Sequence, residues 1–179
     1  TTNDLQAVVE LNAAGNLTIQ NAIITPNIQS NGNYCSGVLI SEDNSGAKLT
    51  INNTTIHADG DGGRGVAIRS LGSITTISDS TITANGGKYG SAIHMNTQNS
   101  ANSATLNISN STITAQKYYG IYLHMGTFTI NITDNSKVSG FAALYLKPDC
   151  INSTVNISKS ELVGIMQYGG TSNNFGTIA

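Results

Sequence analysis

Charge is scarce in this sequence. Asp, Glu, Lys and Arg make up only 10% of its 179 residues, against roughly a quarter in an average globular protein. The formal net charge is −2 and the few Lys and Arg stand singly, which excludes the basic stripe of a nucleic-acid binder. Tryptophan is absent and proline occurs twice, at Pro26 and Pro148. No apolar run approaches the roughly 20 residues of a membrane-spanning helix, so no membrane span is expected in this chain. The chain begins at Thr1 with no signal-peptide pattern, which reads as a processed product or an excised fragment. In place of charge the polar residues are Asn, Ser and Thr, with 19 glycines among them. Such an uncharged polar surface is commonest on secreted and cell-surface bacterial proteins.

What is present is a repeat. One line recurs: GNLTIQNAII (15–24), AKLTINNTTI (47–56), SITTISDSTI (73–82), ATLNISNSTI (104–113), FTINITDNSKV (128–138) and TVNISKSEL (154–162). The anchor isoleucines are Ile19, Ile51, Ile77, Ile108, Ile132 and Ile157, at intervals of 32, 26, 31, 24 and 25 residues. Apolar and polar residues alternate at period two and β-branched residues dominate, so these are short strands, not helices. Each repeat holds three apolar stretches. The first carries pairs such as Leu17/Ile19 and Leu49/Ile51. The second has single anchors: Ile24, Ile56, Ile82, Ile113, Val138 and Leu162. The third is Gly- or Ala-led: GVLI (37–40), GVAI (65–68), GSAI (90–93), GIYL (120–123) and ALYL (143–146). Each repeat can bury its inward residues only against its neighbours, which is the logic of a solenoid.

Between the first and second stretches lies a near-constant position: Asn21, Asn53, Asp79, Asn110 and Asp134, with Lys159 last. Asn and Asp tolerate left-handed backbone and bond their own turns. Stacked coil on coil, they are expected to form a ladder of side-chain hydrogen bonds.

Over residues 15–163 the coil length, the three-strand pattern and the Asn ladder resemble the single-stranded right-handed parallel β-helix family, the pectate-lyase-like superfamily. That resemblance implies an all-β, right-handed parallel β-helix of about six coils with three short strands each. The family includes polysaccharide lyases and hydrolases, phage tailspikes and bacterial adhesin or autotransporter passenger segments. The expected organisation is one β-helix domain over 1–179. Within it, 1–14 serves as a cap or incomplete first coil, and 164–179 is an irregular end. Six coils at about 4.8 Å each make a rod of roughly 25–30 Å. Cys35 and Cys150 lie four coils apart, roughly 19 Å by the same spacing, too far for a disulfide.

Three sets of residues are candidates for chemistry. HADGDGGRG (57–65) brings Asp59 and Asp61 together, where a weak calcium site is conceivable. No third acid or late Glu follows, as an EF-hand requires, so a plain turn is the stronger reading. No other cofactor is expected. For an enzyme of the lyase or hydrolase type, which needs paired acids, Asp59, Asp61, Asp79, His57 and Arg69 are the nearby groups, and the family's catalytic clusters are absent. The third stretch offers outward residues Leu39/Ser41, Ala67/Arg69, Ala92/His94, Tyr122/His124 and Tyr145/Lys147. On that alignment Tyr122 lies beside Tyr145 and His94 beside His124, with Arg69 and Lys147 at the ends. Aromatic faces beside hydrogen-bonding groups suit sugar rings. Large side chains covering a solenoid face are the plainer alternative. Outward threonines (Thr55, Thr81, Thr83, Thr112, Thr114) form an array broken by Ile23, His57, Lys137 and Glu161, unlike an ice-binding surface. Eight sequons, including Asn107, Asn131 and Asn156, arise in a chain this rich in Asn, Ser and Thr.

The functional expectation is a non-enzymatic extracellular or cell-surface segment of adhesin type. Its side face would meet a host or matrix glycan or protein, with Tyr122, Tyr145, His94, His124, Arg69 and Lys147 as the binding strip. The alternatives are a carbohydrate-active enzyme or its inactive relative, and a purely structural stalk that self-associates end to end.

Overall fold

The computed structural model describes residues 6–26, 34–42, 45–86, 90–168 and 171–178. Among these the chain runs strand after strand with no helix. The first coil holds β1 (Gln6–Leu11), β2 (Asn16–Gln20) and β3 (Ile23–Ile24). The second holds β4 (Cys35–Ile40), β5 (Lys48–Asn52) and β6 (Thr55–Ala58). The third holds β7 (Gly63–Ile68), β8 (Ser73–Ser78) and β9 (Thr81–Ala84). The fourth holds β10 (Ser91–Asn96), β11 (Ser103–Ser109) and β12 (Thr112–Ala115). The fifth holds β13 (Tyr119–Met125), β14 (Thr127–Thr133) and β15 (Lys137–Gly140). The last holds β16 (Ala142–Leu146), β17 (Thr154–Ile157) and β18 (Glu161–Tyr168), followed by β19 (Thr171–Ile178).

These strands stack into three parallel sheets around one core, a right-handed β-solenoid of about five turns. Sheet I is β2-β5-β8-β11-β14-β17, built from the first stretches. Sheet II is β3-β6-β9-β12-β15-β18, with β19 at its end. Sheet III is β1-β4-β7-β10-β13-β16. The register follows the alternation. Leu17 pairs with Leu49, Ile19 with Ile51, Ile51 with Ile77, Ile77 with Ile108 and Ile108 with Ile132. The second-stretch anchors Ile24, Ile56, Ile82, Ile113, Val138 and Leu162 likewise stack one on the next. Ile51, Ile77, Ile82, Ile130 and their neighbours are fully buried, and each such side chain contributes about 1.5–3 kcal/mol of burial.

The corner between sheets I and II is left-handed backbone in every coil. Asn21, Asn53, Asp79, Asn110, Asp134 and Lys159 have φ between 43° and 55°. Asn53 Nδ2 donates to Asn21 Oδ1 at 2.8 Å and Asn110 Nδ2 donates to Asp79 Oδ1 at 2.7 Å. Between these two pairs the link runs through the preceding residue, Asn52, whose Nδ2 reaches Asp79 Oδ2 at 3.3 Å.

Two further ladders stand beside this one. On the outer face of sheet I, Asn156 donates to Asn131 and Asn131 to Asn107, each at 2.8 Å. Behind the corner lies a buried file of hydroxyls: Thr54, Ser80, Ser111, Ser136 and Ser160. Ser80 Oγ accepts the Thr54 N–H, Ser111 Oγ the Ser80 N–H and Ser136 Oγ the Ser111 N–H. The serine hydroxyls in turn donate to carbonyls of their own turns. The corner bends the backbone away from the regular strand ladder, and the hydroxyls supply the partners it loses.

At the far end of sheet II, β18 and β19 form an antiparallel pair. One expectation changes. In sheet III the alignment shifts by two residues: Ile93 pairs with Val66 and Ile121, and Met95 with Ile68 and Leu123. A slip of two keeps His94 on the outer face while its neighbours change, and Ala92, expected outside, joins the core. Residues 1–5, 27–33, 43–44, 87–89, 169–170 and 179 lie outside the described residues, and with them the start of the expected cap over 1–14.

Candidate ligand-binding face

The outer face of sheet III concentrates the molecule's unusual chemistry. Two rows of side chains cross it. One row is Leu39, Ala67, His94, Tyr122 and Tyr145. The other is Ser36, Arg64, Ser91 and Tyr119. The corrected register therefore puts His94 directly beside Tyr122, with His124 diagonal to it. The His94 and Tyr122 rings stack with centroids 5.1 Å apart, while His94 and His124 are 6.2 Å apart and tilted. Tyr119 lies flat on Tyr145 at 4.3 Å and 4°. Tyr118 and Tyr122 flank Tyr119 at 4.0 and 5.3 Å. The rings form one continuous aromatic surface.

The face is graded in depth. Ser36 and Ser91 are fully buried, His94 is 4% and Arg64 7% exposed, while Tyr145 at the rim is 37% exposed. Arg64 is the group that sequence reasoning missed. It closes a stretch that reads as a plain turn, whereas β7 begins at Gly63 and carries Arg64 onto this face. Its guanidinium sits 4.1 Å from the Tyr34 ring centroid. Burial pulls its pKa down to about 10, against the stabilising influence of Tyr34 and Tyr122.

Burial also holds His94 well below the ordinary histidine value, with Arg64, His124 and Arg69 adding to the effect. His124 is lowered by burial first, then by Lys147 and Arg64, with Asp149 opposing. Tyr122 is pushed up to about 12, chiefly by burial. At neutral pH both imidazoles are uncharged and Arg64 is the deep cation.

The remaining expected residues fall at the margins. Arg69, half-buried, is paired with Glu42, whose carboxylate also accepts from Gln98. Lys147 lies just past β16 and acts electrostatically on His124. Asp59 pairs with His57 Nε2 at 2.8 Å, away from this face. The glycines around it make a tight turn, with Gly60 and Gly62 at positive φ and the Gly63 N–H bonded to the Gly60 carbonyl. The next coil presses on this turn so closely that a Cβ on Gly86 would lie 1.8 Å from the Gly60 carbonyl oxygen. Among the described residues no three His, Cys, Asp or Glu side chains converge as a metal site would need. Cys35 and Cys150 are free thiols.

In comparisons with protein-family models, curated proteins and solved structures, nothing matched the chain. Its chemistry must be argued from the face itself.

Proposed function

We propose that this chain is a non-enzymatic segment of an extracellular or cell-surface protein of adhesin type, in which the solenoid is a rigid support and the outer face of sheet III binds a glycan. The observation that carries the reading is the aromatic surface of Tyr118, Tyr119, Tyr122 and Tyr145, continuous across two coils and bordered by polar groups. Sugar rings stack on such faces through their C–H surfaces while their hydroxyls need donors and acceptors nearby. Strands hold the rings in fixed positions, so little ordering entropy is lost on binding.

A glycan array probed with the purified chain, with calcium and with chelator, tests the reading. The expected outcome is binding that survives chelation and falls about tenfold or more in the Tyr122→Ala/Tyr145→Ala double variant, given about 0.5–1.5 kcal/mol per aromatic contact. Binding that required calcium would return attention to Asp59 and Asp61. A blank array would favour a stalk.

A further inference from the structure

Five buried polar side-chain atoms without a hydrogen-bond partner cluster on this one face: Ser36 Oγ, Arg64 Nε, Ser91 Oγ, His94 Nδ1 and His124 Nδ1. Elsewhere among the described residues the same condition is met only at Thr75 and Asn85. Buried polar groups normally find partners, so a cluster of exceptions calls for an explanation. These five share one property. Each hydroxyl, the guanidinium N–H and a neutral imidazole nitrogen can donate a hydrogen bond. The hydroxyls and the neutral imidazoles can also accept, whereas Arg64 Nε can only donate, so an acceptor entering the site is the one partner that all five could meet.

Charge tells the same story. Arg64 has no ion pair among the described residues, and the Glu42 carboxylate is engaged by Arg69. A buried cation with no counter-charge among the described residues is costly. The cation–π contact with Tyr34 offsets only part of that cost. A site that holds a buried cation beside several groups free to donate is suited to an entering anion.

We propose that Arg64, with Ser36, Ser91, His94 and His124 around it, is a receptor for a single oxyanion group, a carboxylate or sulfate ester borne by the ligand of this face. The guanidinium fork matches such a group in a bidentate manner that a lysine would not reproduce. The anion docks at the floor while the neighbouring rings stack against the adjoining sugar. The inference rests on the reading of this face as a glycan site, and specifies that the glycan is acidic.

Protons are coupled to this binding. The groups facing His94 are Arg64 and Arg69 from one side and Tyr122 and His124 from the other; His124 also faces Lys147 and Asp149. Asp149 is the one acid among them. A bound oxyanion adds negative charge beside both imidazoles and favours their protonated forms. Affinity therefore rises as pH falls through the range in which the imidazoles of the bound state protonate, by at most about tenfold per pH unit for each proton taken up.

The test compares thermal midpoints of the wild type and Arg64→Met in sodium sulfate and in sodium chloride at matched ionic strength. Sulfate stabilises proteins generally by exclusion from their surfaces, and the variant measures that background. The expected result is an additional, saturable rise in the wild type only, larger at pH 5.5 than at pH 7.5. Arg64→Met, with no buried charge to compensate, should start from a higher midpoint. Equal sulfate shifts in the two proteins would overturn the inference. If Arg64→Met does not fold, Arg64→Lys read by calorimetry serves instead, with at least tenfold weaker sulfate binding expected and unchanged binding overturning the proposal. Uronate, sulfated and neutral oligosaccharides then separate the two claims. Neutral sugars that bind through Tyr122 and Tyr145 without any Arg64 effect would leave the face and remove the anion receptor. Sulfate binding through Arg64 with no saccharide binding would do the reverse.

Discussion

At the scale of single residues, the cost of keeping His94 inside the protein is paid in acid. Its folded-state value lies well below the ordinary 6.5, first because it is buried and then because Arg64, His124 and Arg69 surround it. As pH falls below about 6.5 the unfolded chain takes up a proton at this position that the folded chain refuses. Stability is therefore lost on acidification, beginning near 6.5 and accumulating down to the folded-state value. The slope is at most about 1.4 kcal/mol per pH unit for this one group. Thermal midpoints measured between pH 7.5 and 5 should fall in the wild type, and His94→Gln should flatten much of that decline. A profile unchanged by the substitution would mean that the imbalance in proton uptake lies elsewhere. The position of His94 on the outer face was legible from its alternation with Ile93 and Met95. Its neighbour was not, because Ile93 and Met95 are both apolar and a period of two cannot tell one from the other. Arg64 was hidden for a different reason. It follows a glycine- and aspartate-rich turn, and nothing local shows that the strand has already begun at Gly63.

At the scale of strands and turns, the corner between sheets I and II is held by two files of side chains with unequal consequences. The Asn and Asp file is exposed, and water can replace its hydrogen bonds. The hydroxyl file is buried, and water cannot. Ser111→Ala removes the acceptor of the Ser80 N–H and the donor to the Ser109 carbonyl, leaving buried backbone groups unmet. Denaturant unfolding should show a loss of about 1–3 kcal/mol. Asn110→Ala, at the exposed neighbour, should cost less than the serine change despite its left-handed backbone, and the reverse order would contradict this assignment of roles. The strands were legible because strict alternation and β-branched residues admit one reading. The exposed file was legible because Asn and Asp recur at one offset. The hydroxyl file left an equally regular trace, a Ser or Thr directly after the left-handed residue in most coils. In a sequence this rich in Ser and Thr, that trace looks like background.

At the scale of the whole molecule, each coil is supported chiefly by the coils on either side. Stability in such an array is a sum of nearest-neighbour terms. Native-state hydrogen exchange should therefore be slowest in the central rungs of sheet I, β8 and β11, and faster in β2 and β17, which have one neighbour each. Uniform protection across all six rungs would show that the array unfolds as one unit.

The reversed strand at one end has a consequence for assembly. A further coil can join all three sheets in parallel register only ahead of β1, β2 and β3. After β18 the backbone doubles back through β19 and offers sheet II an antiparallel partner instead. In the language of polymer chemistry β19 is a chain stopper on sheet II: a copy arriving at that end meets an antiparallel edge where parallel growth would need a parallel one.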